Sequence, residues 1–418
     1  MTEQAAPHNL NPEHLLTLYE ITRTMNSSLD FNEVLNHVMD SMMDVTKAQR
    51  GFLMLADDET GELRVLIQKG EGLEEEGYST TIVNQVVATR EPLLTNNAQF
   101  DTRFQAGQSI IMRGLRAILS APMLVKDRLV GVVYVDTSMR SRNFSQSDRD
   151  LLNAVAGQAA IALDNARLYT VAVEKGRIER ELQMASEIQQ GLLPHRMPNT
   201  QGYQMAAAWR PAREVAGDFY DAFALGDDRA GVVIADVSDK GAPAALFMAV
   251  ARTMIRSHAN LGLPPVDVVA RTNDLILEDA ESGMFVTVYH SQFFSDGRSL
   301  HVNAGHNPPL LYRHGTGELD YLPRGGRAVG WFPDNPLQEL EFRMSAGDVI
   351  VYYTDGLTEA ENPDGDYYGE ARLAQIVAHA GARSAQEILE AILDDVEVFC
   401  NGASPFDDLT ILVVRYLG

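Results

Sequence analysis

The sequence predicts an α+β protein in which two globular domains are joined by a long helix. At 418 residues the chain is long for one core, so two or three domains are expected. Short strand-like runs lie on both sides of residues 147–193, and that stretch itself carries apolar residues at helical spacing. From residue 203 onward many strands occur with helices in pairs, which favours two sheets sandwiched between helices.

The first domain reads as an antiparallel sheet flanked by helices. Helical periodicity covers residues 12–46, with Asp30 as an N-cap and Glu33 completing a capping-box pattern. Residues 81–95 read as a helix that stops before Pro92, because the residue before a proline is disfavoured in helical geometry. The remaining strands are expected at 51–57, 62–68, 118–125 and 128–137, the last two forming a hairpin through the turn 125–128.

Residues 147–194 are expected to form a helical linker. Ser145 is a suitable N-cap and Asp148 complements the helix dipole, and the apolar spacing continues past Gly176 until Pro194. This gives one or two helices. An apolar seam of this length is typical of a coiled coil, and the alternative is that each half packs on its own domain.

The last domain, residues 195–418, contains most of the predicted strands. Helices are expected at 243–259, 266–279, 369–380 and 384–400. Strands are expected at 203–209, 218–225, 229–237, 284–294, 299–305, 309–313, 318–323, 339–344, 348–355 and 409–417.

Composition and charge restrict the function classes. The formal net charge is −24, opposite in sign to a nucleic-acid phosphate track or a patch that binds anionic membranes. The single cysteine, Cys400, allows no disulfide within the chain and no cysteine-based zinc site. The N-terminus does not resemble a signal peptide, and no apolar run approaches ~18 residues. We therefore expect a cytoplasmic protein without nucleic-acid or membrane partners.

Four aspartate clusters follow or precede strands in the last domain. They are GDFYD (217–221), IADVSDKG (234–241), YYTDG (352–356) and FDDLT (406–410). A single aspartate at a strand end is usually a turn former or cap. Four clusters beside buried strands are different, because converging carboxylates repel unless a proton or cation lies between them. Hard divalent cations with oxygen ligands would satisfy such a site.

These segments carry a family resemblance. The motifs EVAGDFYDAF, VIADVSDKGAPAAL, VNAGHNPPLLY, VIVYYTDGLTEA and FDDLTILVV occur in order and resemble the SpoIIE/RsbU-type branch of the PPM metal-dependent protein phosphatases. The helix ELQMASEIQQGLLP (181–194) resembles the segment that precedes the domain in this bacterial branch. The resemblance covers about 181–418. It implies an αββα sandwich, a centre of two Mn²⁺ or Mg²⁺ ions, and hydrolysis of phosphoserine or phosphothreonine in proteins.

The resemblance also implies roles for individual residues. Asp236 is similar to the carboxylate that bridges the two metals, and the carbonyl of Val237 would bind one of them. Asp355 and Asp407 resemble ligands of the other metal, Asp218 would hold a metal-bound water, and Asp408 is a further ligand candidate beside Asp407. A hydroxide shared by the metals would attack phosphorus. The predicted catalytic residues are thus Asp218, Asp236, Asp355 and Asp407, and the predicted metal ligands are these four with Val237 and Asp408.

Several neighbouring residues are further candidates. Arg213 lies five residues before Asp218, where some relatives in the wider superfamily carry an arginine that contacts the substrate phosphate, and the alternative is a surface arginine. His306 is expected to shape the turn before Pro308. Asp239 occupies a position where relatives often have glycine. We expect Asp355 to end its strand, with Gly356 permitting a sharp turn.

The first domain resembles a GAF domain over about 15–165. The resemblance rests on LRAILSAPMLVKDRLVGVVYVDT (115–137), with GFLMLAD (51–57) and EPLLTNNAQFDTRF (91–104) beside it. GAF domains bind small molecules or serve as dimerisation modules, so an unidentified small-molecule ligand is expected here. No cysteine lies in this region, which excludes covalent attachment of a bilin.

The combined interpretation is a phosphatase regulated by a sensor. We expect a homodimer through the GAF domain and the linker helices, acting on a phosphorylated STAS-type anti-sigma factor antagonist. The alternative is a dimeric ligand sensor whose phosphatase-like domain is degenerate and acts by protein contact. The complete set of predicted ligands, Asp218, Asp236, Asp355 and Asp407, favours the enzyme.

Overall fold

The computed structural model describes residues 12–25, 27–57, 60–70, 77–98, 101, 117–137, 143–226, 228–279 and 283–418. The chain divides into two compact units, Met1–Arg177 and Ile178–Gly418. Parts of the GAF resemblance, residues 99–100, 102–104 and 115–116, lie outside the described residues, as does the N-terminal segment 1–11. Within the ranges described, no helix is both long and apolar enough to cross a membrane.

The first unit contains the predicted antiparallel sheet with helices against it. Its helices are α1 (Pro12–Met25), α2 (Phe31–Thr46) and α3 (Thr80–Thr89), and its strands are β1 (Arg50–Ala56), β2 (Leu63–Gly70), β3 (Leu93–Thr95), β4 (Ala117–Val125) and β5 (Arg128–Thr137). The strand order is β2-β1-β5-β4-β3. Asp30 caps α2 as predicted, since its carboxylate accepts from the backbone N–H groups of Asn32 and Glu33. The helix α3 ends before Pro92, and residues 93–95 form a strand rather than helix.

The linker is one continuous helix, α4 (Gln146–Leu192), of 47 residues. Ser145 and Asp148 form reciprocal capping bonds at its start. The boundary between the two compact units falls within this helix, between Arg177 and Ile178. Its first half packs into the core of the first unit through Leu152, Val155 and Ala159.

The second unit is the predicted sandwich. One sheet has the order β13-β10-β9-β8-β7 and the other β12-β11-β14-β15-β6. Its strands are β6 (Tyr203–Arg210), β7 (Phe219–Ala224), β8 (Arg229–Val237), β9 (Val286–Phe294), β10 (Arg298–Ala304), β11 (Leu310–Tyr312), β12 (Leu319–Tyr321), β13 (Glu339–Arg343), β14 (Val349–Tyr353) and β15 (Leu409–Tyr416).

Helices cover the outer face of each sheet. They are α5 (Ala242–Ala259) and α6 (Pro265–Asp279) on the first sheet, the single turn α7 (Asp355–Thr358), and α8 (Gly369–Ala380) and α9 (Ala385–Cys400) on the second. The central core joins both sheets, with Ile234 and Tyr289 from one and Tyr352 and Leu412 from the other. The α+β fold and the αββα sandwich predicted from the sequence are therefore confirmed.

The structure corrects the expectation for Asp355 and Gly356. Strand β14 ends at Tyr353, and Asp355 is the first residue of the short helix α7. Gly356 does not have a positive φ, so no sharp turn requires it. A Cβ at this position would instead overlap the carbonyl oxygen of Asp408. The glycine allows two chain segments to approach, and this brings Asp355 beside Asp407 and Asp408.

Candidate metal centre

The acidic segments come from adjacent strands at one end of the sandwich. Strands β7 and β8 are antiparallel neighbours with Phe219 opposite Ala235, so Asp218 and Asp236 occupy the next positions outward. Strands β14 and β15 are also antiparallel neighbours, with Tyr353 opposite Ile411. Asp355 follows the first of these strands and Asp407 precedes the second, so antiparallel pairing places them at the same end.

Hydrogen bonds tie the acidic ends of the two sheets together. The hydroxyl of Thr410 donates to Asp218 Oδ2 at 3.1 Å. The backbone N–H groups of Ala212 and Gly217 donate to the two carboxylate oxygens of Asp408 at 2.8 and 3.0 Å. Asp408 therefore fixes the segment that leads into Asp218, from a position almost two hundred residues away along the chain.

The carboxylates raise one another's pKa values. Burial and the charge of Asp355 raise the pKa of Asp236 to about 7, with further contributions from Asp407 and Asp408. Burial, followed by the charge of Asp236, raises the pKa of Asp218 well above its usual value. Burial and the charge of Asp407 raise the pKa of Asp355. Each group is thus destabilised in its charged form by desolvation and by another member of the cluster.

One lysine neutralises part of this cluster. Lys240 Nζ lies 2.7 Å from Asp407 Oδ2 and 3.2 Å from the carbonyl oxygen of Phe406, and 4.4 Å from the centre of the Phe406 ring. In the part of the chain that the structure describes, no three His, Cys, Asp or Glu side chains form a group arranged to hold a metal ion. Carboxylate oxygens of the cluster instead accept hydrogen bonds from protein donors: Asp218 accepts from Thr410, and Asp407 accepts from Lys240.

The donor chemistry of these residues nevertheless fits a divalent cation. Asp218, Asp236, Asp355 and Asp407 supply only carboxylate oxygens, which Mg²⁺ and Mn²⁺ prefer. Their mutual repulsion is the kind of electrostatic cost that a bound cation removes. Asp407 would have to exchange Lys240 for the ion.

Comparisons with known proteins identify both domains. The family described as Stage II sporulation protein E (SpoIIE) matches residues 226–417, and the GAF domain family matches residues 28–164. The chain carries a GAF domain followed by a SpoIIE-type PPM phosphatase domain.

Two individual proteins are similar to this chain over part of its length. Protein IcfG of Synechocystis sp. is 32% identical over 302 residues, which cover 65% of this chain and 47% of IcfG. Phosphoserine phosphatase RsbU of Bacillus subtilis is 27% identical over 239 residues, covering 57% of this chain and 70% of RsbU. The chain thus spans about half the length of the first of these relatives and more of the second.

A solved structure shares the fold. The SiaA-PP2C domain of Pseudomonas aeruginosa superposes with a TM-score of 0.53 at 23% identity, covering 59% of this chain and 99% of that domain. At this level of identity the similarity concerns the fold alone.

The structure places two further candidate residues, Arg213 and His306, near the SpoIIE-type centre. Arg213 is exposed on the segment between Ala212 and Gly217 that Asp408 holds. His306 is buried, its Nδ1 lies 2.8 Å from Thr287 Oγ1, and that hydroxyl also bonds the carbonyl oxygen of Asp236. Burial lowers the pKa of His306 to about 3, so the ring is neutral and supports the strand that carries Asp236.

Sequence reasoning missed two residues of the site. Thr410 orients Asp218, and its position in FDDLT beside the acidic pair was the available signal. Gln189, in EIQQGLLP of the helix α4, is buried and bonds both backbone groups of Ala216. Its Nε2 donates to the Ala216 carbonyl at 2.9 Å, and its Oε1 accepts from the Ala216 N–H at 3.1 Å. No local pattern distinguishes Gln189 from Gln190, which is exposed.

Proposed function

We propose that the SpoIIE-type domain is a metal-dependent protein phosphatase that hydrolyses phosphoserine or phosphothreonine on a partner protein. One observation carries this proposal: carboxylates from four separate segments lie close enough to raise one another's pKa values without an equal number of cations beside them. The name of the relative RsbU, a phosphoserine phosphatase, supports the reaction class. In a degenerate domain that binds no metal, the repulsion between these carboxylates would destabilise the protein without supporting any activity.

The chain's own residues would prepare the site. Asp236, Asp355 and Asp407, with the carbonyl of Val237, would hold two divalent cations, and Asp218 would complete the set. When bound, such ions supply a water of lowered pKa and neutralise charge on phosphoryl oxygens. Thr410 fixes the rotamer of Asp218. Asp408 fixes the segment that carries Arg213, whose side chain is exposed and positioned to meet an anionic substrate.

The test is hydrolysis of p-nitrophenyl phosphate and of a phosphoserine peptide, with Mn²⁺ or Mg²⁺ and with a chelator. We expect activity only with metal, and a loss of at least about a hundredfold in Asp236→Asn and Asp355→Asn. Activity that survives chelation and both substitutions would rule out the proposed centre. A folded protein that binds no metal and hydrolyses neither compound would favour the degenerate domain.

We infer that the linker helix regulates this site through Gln189. The Gln189 amide holds Ala216, two residues before Asp218, and its Nε2 also lies 3.4 Å from the carbonyl of Ala245 in α5. A rotation of the helix would therefore move the segment that carries Asp218. Deleting residues 1–146 should leave the phosphatase fold intact and change its regulation. Unchanged activity and unchanged signal response in that truncated protein would contradict a sensor role.

The same helix is proposed to form a homodimer. Ile161, Leu168, Val171 and Ile178 are exposed, at spacings of seven, three and seven residues, which is the pattern of a coiled-coil seam. We expect the double change Leu168→Lys and Val171→Lys to produce monomers in light scattering, whereas the neighbouring Thr170→Lys should not. A wild-type protein that is monomeric at all concentrations would contradict the dimer.

The finer assignments rest on the resemblance to the RsbU-type branch. We propose a STAS-type anti-sigma factor antagonist as the phosphorylated substrate, Mn²⁺ or Mg²⁺ as the metal, an unidentified small molecule as the GAF ligand, and the cytoplasm as the location. Dephosphorylation of a phosphoserine STAS-domain protein in preference to an unrelated phosphoprotein tests the substrate assignment.

A further inference from the structure

The segment 324–335 presents an exposed aromatic surface that the proposed chemistry does not use. Trp331 is 55% exposed and Phe332 is 39% exposed. Their rings are stacked with centroids 5.7 Å apart, and Trp331 also stacks on Phe285 at 4.2 Å. We call Phe285, Trp331 and Phe332 the aromatic platform. Large aromatic rings at this exposure lose hydrophobic stabilisation unless another surface covers them.

The aromatic platform is held rigidly. The backbones of Val286 and Val329 exchange hydrogen bonds in both directions, at 2.9 and 2.8 Å. The side chain of Asn273, which is buried, accepts from the Gly330 N–H at 3.0 Å and donates to the Phe332 carbonyl at 3.1 Å. The side chain of Asn335 closes the loop by two bonds to the backbone of Arg327. A surface fixed in this way loses little conformational entropy when a partner binds.

The platform adjoins the proposed catalytic segment. The Ser238 N–H donates to the Phe285 carbonyl at 2.9 Å, and the Phe285 N–H donates to Ser238 Oγ at 3.0 Å. Ser238 directly follows Asp236 and Val237. A folded protein whose phosphorylated residue enters the centre would therefore bring neighbouring surface toward Phe285 and the Trp331 ring stacked on it.

A positively charged side chain lies beside the aromatic platform and could contact an anionic group of a phosphoprotein. Arg327 is exposed, and its guanidinium lies 4.7 Å from the centre of the Phe332 ring. The chain as a whole has a net charge of −24, so a cation at this edge runs against the overall charge. Arginine stacked on an aromatic ring keeps its donors available for carboxylate or phosphate oxygens.

We propose that the aromatic platform with Arg327 is a docking surface for the folded phosphoprotein substrate, contacting an apolar patch next to the phosphorylated residue. The inference rests on the proposed function of the neighbouring site and adds a determinant of substrate specificity to it. Tryptophan and arginine are enriched among residues that dominate protein interfaces, and Trp331 stands at the centre of this surface. A small phosphate ester lacks the apolar surface that would cover the platform.

The test compares a protein substrate with a small one in the full-length chain. The probes are a STAS-domain protein carrying phosphoserine and p-nitrophenyl phosphate. We expect Trp331→Ala to raise KM for the phosphoprotein roughly tenfold or more, with kcat changed less than about twofold and p-nitrophenyl phosphate hydrolysis unchanged. Trp331→Phe should restore most of the affinity. Val398→Ala, at a side chain 74% exposed on α9, is the matched surface control and should change neither.

A direct binding measurement separates this proposal from the proposed function. The affinity of the phosphoprotein is measured for Asp236→Asn and for the same protein with Trp331→Ala. A Trp331-dependent affinity, together with a wild-type chain that hydrolyses neither probe in the presence of Mn²⁺, would retain the docking surface and refute the phosphatase. Equal affinities, or equal proportional losses for both substrates, would overturn the docking surface. So would conversion of a dimer to monomers by Trp331→Ala without loss of substrate affinity, because a second copy would then be the occupant.

Discussion

Replacing Asp236 by asparagine should stabilise the metal-free protein while abolishing its proposed activity. In the absence of metal the Asp236 carboxylate is desolvated and faces Asp355 and Asp407. Asparagine has nearly the same shape and carries no charge, so the substitution removes the repulsion. The expected stabilisation is the opposite of what most substitutions of buried residues cause.

The magnitude follows from the pKa. A change from 3.8 to about 7 corresponds to roughly three units, and at 1.36 kcal/mol for each unit the limit is about 4 kcal/mol. Asp236 is partly exposed, so water screens this cost and we expect about 1–3 kcal/mol. Because the pKa is raised in the folded state, the folded protein binds more protons than the unfolded chain between pH 4 and 7. Stability is therefore lost as the pH rises through this window, and the gain from asparagine should be near zero at pH 4 and complete at pH 8.

Tryptophan fluorescence reports on the relevant unit alone. Both tryptophans of the chain, Trp209 and Trp331, lie in the unit Ile178–Gly418. With a chelator at pH 8, we expect Asp236→Asn to raise the midpoint of thermal unfolding by roughly 2–12 °C, using about 2–4 °C for each kcal/mol in a unit of this size. Adding Mn²⁺ should stabilise the wild type and leave Asp236→Asn nearly unchanged.

Asp221 provides the matched control. It is buried on the neighbouring strand and pairs with Arg252 at 3.0 Å and Arg256 at 2.9 Å. Asp221→Asn leaves these arginines without their carboxylate and should cost roughly 3 kcal/mol. If Asp236→Asn destabilises the metal-free protein at pH 8 as Asp221→Asn does, the electrostatic account of the centre is wrong.

Three further substitutions test the surroundings of the centre. Asp239 has a φ of 82°, which is strained for a residue with a side chain, so Asp239→Gly should raise the free energy of unfolding by about 1 kcal/mol in urea titrations; an unchanged or lower value would contradict the strain. Asp408→Asn turns an amide nitrogen toward one of two backbone N–H donors, so it should cost about 1–3 kcal/mol of stability. It should also lower the rate of p-nitrophenyl phosphate hydrolysis. Full activity would show that catalysis does not need Asp408 to hold the segment between Ala212 and Gly217. Gln189→Ala removes the side chain that bonds the buried backbone groups of Ala216, so it should cost about 1–2 kcal/mol of stability and weaken activation by Mn²⁺. Gln190→Ala, at the exposed neighbouring position, should do neither. Equal effects of the two substitutions would contradict a regulatory role for Gln189.

The sequence predicted those elements of the fold that depend on the residue pattern within a single strand or helix. Strand β8 was predicted with its observed bounds, because its centre VVI is apolar and β-branched and a polar aspartate lies near its end. The sequence does not decide between one linker helix and two, because a glycine such as Gly176 costs about 1 kcal/mol in a helix. The observed helix continues through it, beside an Arg177–Glu174 ion pair at 2.6 Å.

Contacts between distant segments could not be predicted in this way. The reason for Gly356 is the backbone of Asp408, which lies 52 positions later and is brought close by the pairing of β14 with β15. The bond between Lys240 and Asp407 joins residues 167 positions apart. The resemblance indicated which aspartates form the cluster, whereas only coordinates could place a lysine on one of them.

Asp221 and Asp236 are both withdrawn from water, but the protein surrounds the two carboxylates with charges of opposite sign. Both lie on adjacent strands of one sheet, and desolvation raises the pKa of each. Two arginines of α5 lower the pKa of Asp221 again, so its charge is compensated by the fold itself. Asp236 instead faces further carboxylates. This repulsion lowers the free energy of unfolding of the metal-free protein. A cation bound from solution would restore the lost stability. Folding of the SpoIIE-type domain is therefore expected to be coupled to binding of the proposed metal.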